Sequence, residues 1–88
     1  MSGLQVVTTT NTLTSNSSQV HTALCPAGKL AIGGGASIVN GNNSVALTDS
    51  RPALVTGSPN GWFARAIEIG DYASNWGITV YVICANVS

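Results

Sequence analysis

The run Trp76-Gly77-Ile78-Thr79-Val80-Tyr81-Val82-Ile83-Cys84-Ala85 decides the fold. Alternate residues of a strand point to opposite faces. Trp76, Ile78, Val80, Val82 and Cys84 therefore share one face, and Thr79, Tyr81 and Ile83 take the other. β-branched and aromatic side chains dominate, which suits a pleated strand and resists helix. With apolar residues on both faces, the strand is expected to be covered on both sides, at the centre of a sandwich or by a neighbouring subunit. Its last apolar turn carries Cys84, which answers Cys25 at the other end of the foldable sequence. Two cysteines in a short, charge-poor chain favour a disulfide; two buried, unpaired thiols are the alternative. Two Cys and one His without close spacing do not make a closed zinc site.

Working outward, residues 4–14 are rich in Thr and Val and read as an extended strand. Asn16-Ser17-Ser18 is a turn, and Gln19 to Cys25 alternates like a strand. Pro26-Ala27-Gly28-Lys29 closes it, with Gly28 available for a positive φ. Leu30 to Val39 is the next strand, interrupted by Gly33, Gly34 and Gly35. Each glycine costs a strand about 0.5–1 kcal/mol against alanine, so an aromatic ring or neighbouring backbone is expected to lie flat on this stretch. Trp62 and Trp76, each beside a glycine, are the candidate rings. Asn40-Gly41-Asn42-Asn43 reads as a hairpin turn, returning Ser44 to Ser50 as a strand that stops at Arg51-Pro52. Ala53 to Asn60 reads as the longest loop. Gly61 to Ile69 follows as a strand, with Trp62, Ala64, Ala66 and Glu68 opposite Phe63, Arg65, Ile67 and Ile69. No segment holds a 3.6-residue apolar period. The expectation is all-β: a small antiparallel β-sandwich or short barrel of about six to seven strands, closed by one disulfide. It forms a single domain over 1–88, with an N-terminal extended strand at 2–15 and a disulfide-closed body at 19–85.

Composition bounds the setting. Hydrophobic residues make up 44% of the chain, and the charged ones are only Lys29, Asp49, Arg51, Arg65, Glu68 and Asp71, with a net charge of +0. A globular domain ordinarily has about a quarter of its residues charged. The polar surface must then come from Ser, Thr, Asn and Gly, which suits either burial against further copies or an extracellular β-surface. Three scattered cations give no basic stripe for nucleic acid. No apolar run approaches the roughly 18–20 residues of a membrane-spanning helix. Ser2-Gly3-Leu4-Gln5 has neither the basic nor the apolar region of a signal peptide, and none is expected in these residues.

Constellations that could carry chemistry have stronger structural readings. His21, Asp49 and Ser50 are triad residue types, but no Gly-x-Ser-x-Gly elbow surrounds Ser50. Gly28-Lys29 and Gly33-Gly34-Gly35 lack the order and the following helix of a phosphate loop. Asp49, Glu68 and Asp71 are scattered, without a calcium-loop pattern, and read as surface charges pairing with Arg51 or Arg65. The Asn-x-Ser matches at Asn16, Asn42 and Asn86 read as chance in an Asn/Ser-rich chain. Aromatic side chains could stack on a sugar, though Trp62 and Trp76 read as core and Tyr72 as the exposed contact. No catalytic residue, cofactor or metal site is assigned.

Thr22-Ala23-Leu24-Cys25-Pro26-Ala27-Gly28-Lys29, Gly33-Gly34-Gly35-Ala36, Ser50-Arg51-Pro52, Gly61-Trp62 and the run from Trp76 to Ala85 form a pattern that extends over nearly the whole chain. It resembles small disulfide-closed β domains that follow collagen-like repeats in bacterial extracellular proteins or end phage fibre-like proteins. The sequence departs from that pattern in containing no collagen-like repeat. The resemblance implies an extracellular or virion-surface module that assembles as a trimer. The expected function is a non-enzymatic structural, trimerisation or adhesion-type domain, with itself as partner and a surface glycan as a further one. Thr79, Tyr81 and Ile83, together with Tyr72, are the candidate interface or binding residues, and the 76–85 strand or the 4–14 strand is expected near the subunit interface. The alternatives are a lectin-like carbohydrate-binding module and a small hydrolase on a β-scaffold.

Overall fold

A computed structural model describes residues 3–55 and 58–86 and forms two antiparallel three-stranded sheets. The strands are β1 (Gln5–Thr10), β2 (Ser18–Leu24), β3 (Lys29–Val39), β4 (Val45–Val55), β5 (Ser58–Glu68) and β6 (Gly77–Asn86). One sheet has the order β1-β6-β3 and the other β2-β5-β4. The chain is an all-β sandwich closed by one disulfide, with no helix among the described residues.

The run from Trp76 to Ala85 makes β6, the centre of its sheet. Trp76, Ile78, Val80, Val82 and Cys84 are fully buried and face Ala23, Ala64 and Ala66 of the opposite layer. One strand supplies the bulk and the other layer supplies a floor of small residues. Cover on both sides is not what the chain provides. The face carrying Thr79, Tyr81 and Ile83 has flanking strands but no second layer over it, and Tyr81 is exposed.

Two expected connections differ. Asn40-Gly41 is not a hairpin turn, because β3 and β4 lie in different sheets. A two-residue hairpin of this type needs positive φ at both central positions. Here Asn40, Asn42 and Asn43 take φ of 60°, 48° and 64°, and Gly41 is not among the positive-φ residues. Gly41 is instead buried, with the side chains of Ile38 and Val45 packed where a Cβ would stand. The three left-handed asparagines bend the chain across the sandwich. The strand expected to stop at Arg51-Pro52 continues, and most of the expected 53–60 loop is hairpin: Ala53 pairs with Gly61, Leu54 with Pro59 and Val55 with Ser58. β4 is an edge strand, where proline is tolerated. The remainder of that loop, Thr56-Gly57, lies outside the described residues. At Gly28 the expected positive φ is present, at 84°. The Lys29 amide donates to Pro26 O at 3.2 Å, completing the turn.

Cys25 and Cys84 form the disulfide, with Cα atoms 5.8 Å apart. The Cys25 amide donates to Asn60 O at 2.7 Å, which extends the β2–β5 ladder. Cys84 belongs to β6, so the bond ties the two layers together at one end. The other end is tied by Gln19, whose Nε2 donates to the carbonyls of Trp76 at 3.0 Å and Thr14 at 3.2 Å, and whose Oε1 accepts from Asn11 Nδ2 at 2.8 Å. Trp76 Nε1 donates to Glu68 Oε2 at 3.1 Å in the same region. Among the described residues, every buried side-chain polar atom has a partner.

Candidate interaction surface

The outer face of the β1-β6-β3 sheet is built in rows. Val6 pairs with Ile83, Thr8 with Tyr81 and Thr10 with Thr79 on one side. Gly33 pairs with Ile83, Gly35 with Tyr81 and Ser37 with Thr79 on the other. Side-chain alternation puts all of these on the face away from the core. Val6 is 62% exposed and Tyr81 41%. The register shifts between Ala31 and Gly33, leaving Ile32 as the extra residue of a bulge beside Ile83, and it is 50% exposed. Thr10 and Thr79 share a hydroxyl hydrogen bond of 2.8 Å. No Asp, Glu, Lys or Arg enters these rows.

The glycines explain how the surface stays flat. On the inner face, a Cβ at Gly34 would stand 2.5–2.6 Å from Trp62 ring atoms and 2.6 Å from Tyr81 O. On the outer face, a Cβ at Gly35 would meet the Tyr81 phenol ring, with Cζ at 2.6 Å. Two rings from two different strands thus lie on opposite faces of one glycine segment. At Gly33 the nearest atom is Ile83 Cδ1 at 3.8 Å, so this glycine has room for a side chain. Trp62, not Trp76, is the indole on the glycines; its Nε1 donates to Ser50 Oγ at 2.9 Å.

The remaining candidates fall elsewhere. Thr79, Tyr81 and Ile83 come together, but Tyr72 sits in the β5–β6 connection, half-buried against the core, with its hydroxyl on Asn40 O. His21 Nε2 lies 3.2 Å from Thr9 Oγ1, a contact between the layers. Ser50 serves Trp62, and Asp49 pairs with Arg65 across the β4–β5 ladder on the opposite face from Ser50. Glu68, expected to pair with an arginine, accepts from Trp76. Arg65 donates to Thr48 Oγ1 at 3.4 Å, and Arg51 lies over the Phe63 ring at 4.6 Å. Lys29 Nζ donates to Gly3 O at 2.6 Å and Gln5 Oε1 at 3.1 Å. Among the described residues no three His, Cys, Asp or Glu side chains cluster as metal ligands. Two open concavities with mostly polar linings are present, one formed by Ile38, Gly41, Asn42, Asn43 and Val45, another by residues between Asn11 and Val20.

Ile32 was not among the expected interface residues, and Val6 lies in the 4–14 strand expected there without being singled out. Alternation along 4–14 carries a signal for Val6, since it falls in phase with Thr8 and Thr10. Ile32 reaches the patch through a bulge, for which the sequence has only the following glycines as a sign. Comparison with protein families, with curated proteins and with solved structures finds no match to this chain.

Proposed function

We propose that this domain is a non-enzymatic structural and assembly module of an extracellular or virion-surface protein, which associates with copies of itself through the outer face of the β1-β6-β3 sheet. The observation that carries the reading is the open patch of Val6, Ile32, Tyr81 and Ile83, on a sheet face whose rows at Ile83, Tyr81 and Thr79 hold no charged residue. Contiguous exposed apolar patches mark interaction sites, and symmetric copies bury the same patch on every subunit. The Cys25–Cys84 disulfide is consistent with an oxidising compartment. The resemblance to domains that follow collagen-like repeats or end phage fibres agrees with this role and implies three copies.

Light scattering across a wide concentration range tests the reading. Tyr81→Glu or Thr79→Lys is expected to dissociate the oligomer and raise binding of a hydrophobic dye. A wild-type monomer at millimolar concentration would end the proposal. A second reading has its own support: the exposed Tyr81 ring lies against Gly35 on a face whose neighbouring rows carry Thr8, Thr10 and Thr79, a composition suited to stacking a sugar. Saturable binding on a glycan array, lost in Tyr81→Ala, would favour a lectin-like module instead.

A further inference from the structure

The sandwich defends its four sheet edges unequally. The β3 and β4 edges lie on one flank and the β1 and β2 edges on the other. The β3/β4 flank carries the devices that discourage pairing with another chain: bulges after Ala31, Leu47 and Ala53, Pro52, and the charges of Asp49 and Arg51. The β1/β2 flank has none of them. Gln5–Thr10 and Ser18–Leu24 pair with their neighbours without a register shift and contain no proline, aspartate, glutamate, lysine or arginine.

Hydrogen-bond parity shows which backbone groups this flank turns outward. The Asn11 amide donates to Ile78 O at 3.2 Å. Antiparallel pairs alternate between bonded and non-bonded residues, so Gln5, Val7 and Thr9 bond β6 while Val6, Thr8 and Thr10 aim their amides and carbonyls away. In β2, Cys25 N donates to Asn60 O, and Glu68 N donates to Ser17 O at 2.9 Å. By the same alternation Ser18, Val20, Thr22 and Leu24 aim theirs away from β5. The contact between Thr9 and His21 places the C-terminal half of β1 over the middle of β2. The two open edges therefore run along one flank, one above the other.

We propose that this flank is a twofold interface between two copies of the chain, in which β1 pairs with β1 of the second copy and β2 with its β2. The proposal rests on the self-association reading, adds the β1/β2 edge to the outer face as a contact surface, and sets two copies in place of the three that the resemblance implies. One axis normal to both layers generates both pairs at once, and strands related by such an axis run antiparallel. Two three-stranded sheets become two six-stranded sheets, and the patch around Val6 continues from copy to copy. Charge favours a like partner. Across a twofold edge only the residue on the axis faces its own copy, but every charge is repeated on the same short edge of the second copy and would lie near its like; β1 and β2 contain no Asp, Glu, Lys or Arg. The flank supplies six residues from β1 and seven from β2. By the usual proportion of about 800 Å² per partner over 20–30 residues, these bury roughly 350–500 Å² per copy. That is the size of a weak, concentration-dependent dimer.

Thr8→Pro and Val20→Lys test it by sedimentation equilibrium from micromolar to millimolar protein. Proline at position 8 removes an amide that points away from β6, so no bond within the chain is lost. Lysine at the exposed position 20, next to His21, brings two ammonium groups close together across the axis. Each is expected to weaken dimerisation by roughly tenfold or more, with unchanged circular dichroism. In the wild type, the amides of Val6, Thr8, Thr10, Val20 and Thr22 should exchange more slowly as concentration rises, while those of Gln5, Val7 and Thr9 do not change. An oligomer that survives both edge variants but dissociates in Tyr81→Glu overturns the edge pairing and keeps the self-association reading. A trimer overturns the twofold pairing in the same way, and a wild-type monomer throughout removes both.

Discussion

Adjacent glycines of β3 are expected to respond to alanine with opposite signs. At Gly33 the nearest atom to a new Cβ is 3.8 Å away, and no positive φ is required. Alanine there relieves the conformational cost of glycine and should stabilise by about 0.5–1 kcal/mol. At Gly34 the new Cβ would stand 2.5–2.6 Å from two Trp62 ring atoms and 2.6 Å from the Tyr81 carbonyl oxygen. The indole is held by its bond to Ser50, and the carbonyl belongs to the central strand, so neither withdraws freely. Overpacking of this kind costs about 1–3 kcal/mol. The two variants should therefore differ by about 1.5–4 kcal/mol, which at a urea slope near 1 kcal/mol/M is a midpoint difference of about 1.5 M or more. Gly35→Ala should fall between them, because the obstructing Tyr81 phenol is the far end of a flexible side chain. Urea unfolding followed by tryptophan fluorescence reads all three. Combining Gly34→Ala with Trp62→Ala should recover part of the cost through a coupling of about 1 kcal/mol. Equal midpoints for Gly33→Ala and Gly34→Ala would refute the packing of Trp62 on the glycine segment.

Replacing both Cys25 and Cys84 by alanine opens a loop with a sequence separation of 59. Chain entropy assigns this about 4 kcal/mol, or a fall in Tm of roughly 20 °C for a domain of this size; calorimetry giving a fall of only a few degrees contradicts it. Gln19→Leu removes the two bonds from its amide to the carbonyls of Trp76 and Thr14, which keep each other's backbone amides, and takes the acceptor from Asn11 Nδ2. It should cost about 1–3 kcal/mol, and a thermal melt indistinguishable from wild type would show that the amide contributes nothing.

Strand identity was legible where alternation was long and unbroken. The run at 76–85 announced a buried face of Ile78, Val80, Val82 and Cys84 that the structure reproduces side chain by side chain. The glycines announced a ring, and Trp62 is that ring on the inner side. Connections were less legible, for a physical reason. Asn-Gly carries information about local φ, not about which sheet receives the next strand, and Asn40 to Ser44 spends three left-handed residues on crossing the sandwich. Pro52 and Pro59 read as breakers because sequence alone does not show that β4 is an edge strand. The outer patch was half legible: Tyr81 and Ile83 followed from alternation, whereas Ile32 depends on a bulge and Tyr72 on a loop that folds back to Asn40.

The division of labour within the sandwich bears on its role. Ala23, Ala64 and Ala66 make one wall of the core, so nearly all buried bulk comes from β6. Such a thin core is a modest source of stability for a chain this short, and the layers are joined by other means at three levels. The disulfide ties one end, Thr9 meets His21 in the middle, and Gln19 and Glu68 hold Trp76 at the other end. None of these ties uses the outer side chains of Val6, Ile32, Tyr81 or Ile83, nor the outward backbone groups of β1 and β2. A fold closed from within has no structural demand for apolar residues on that face, and its uncharged edges lack the protection given to β3 and β4. That contrast between what the fold uses and what it leaves open is the physical ground for reading both as contact surfaces.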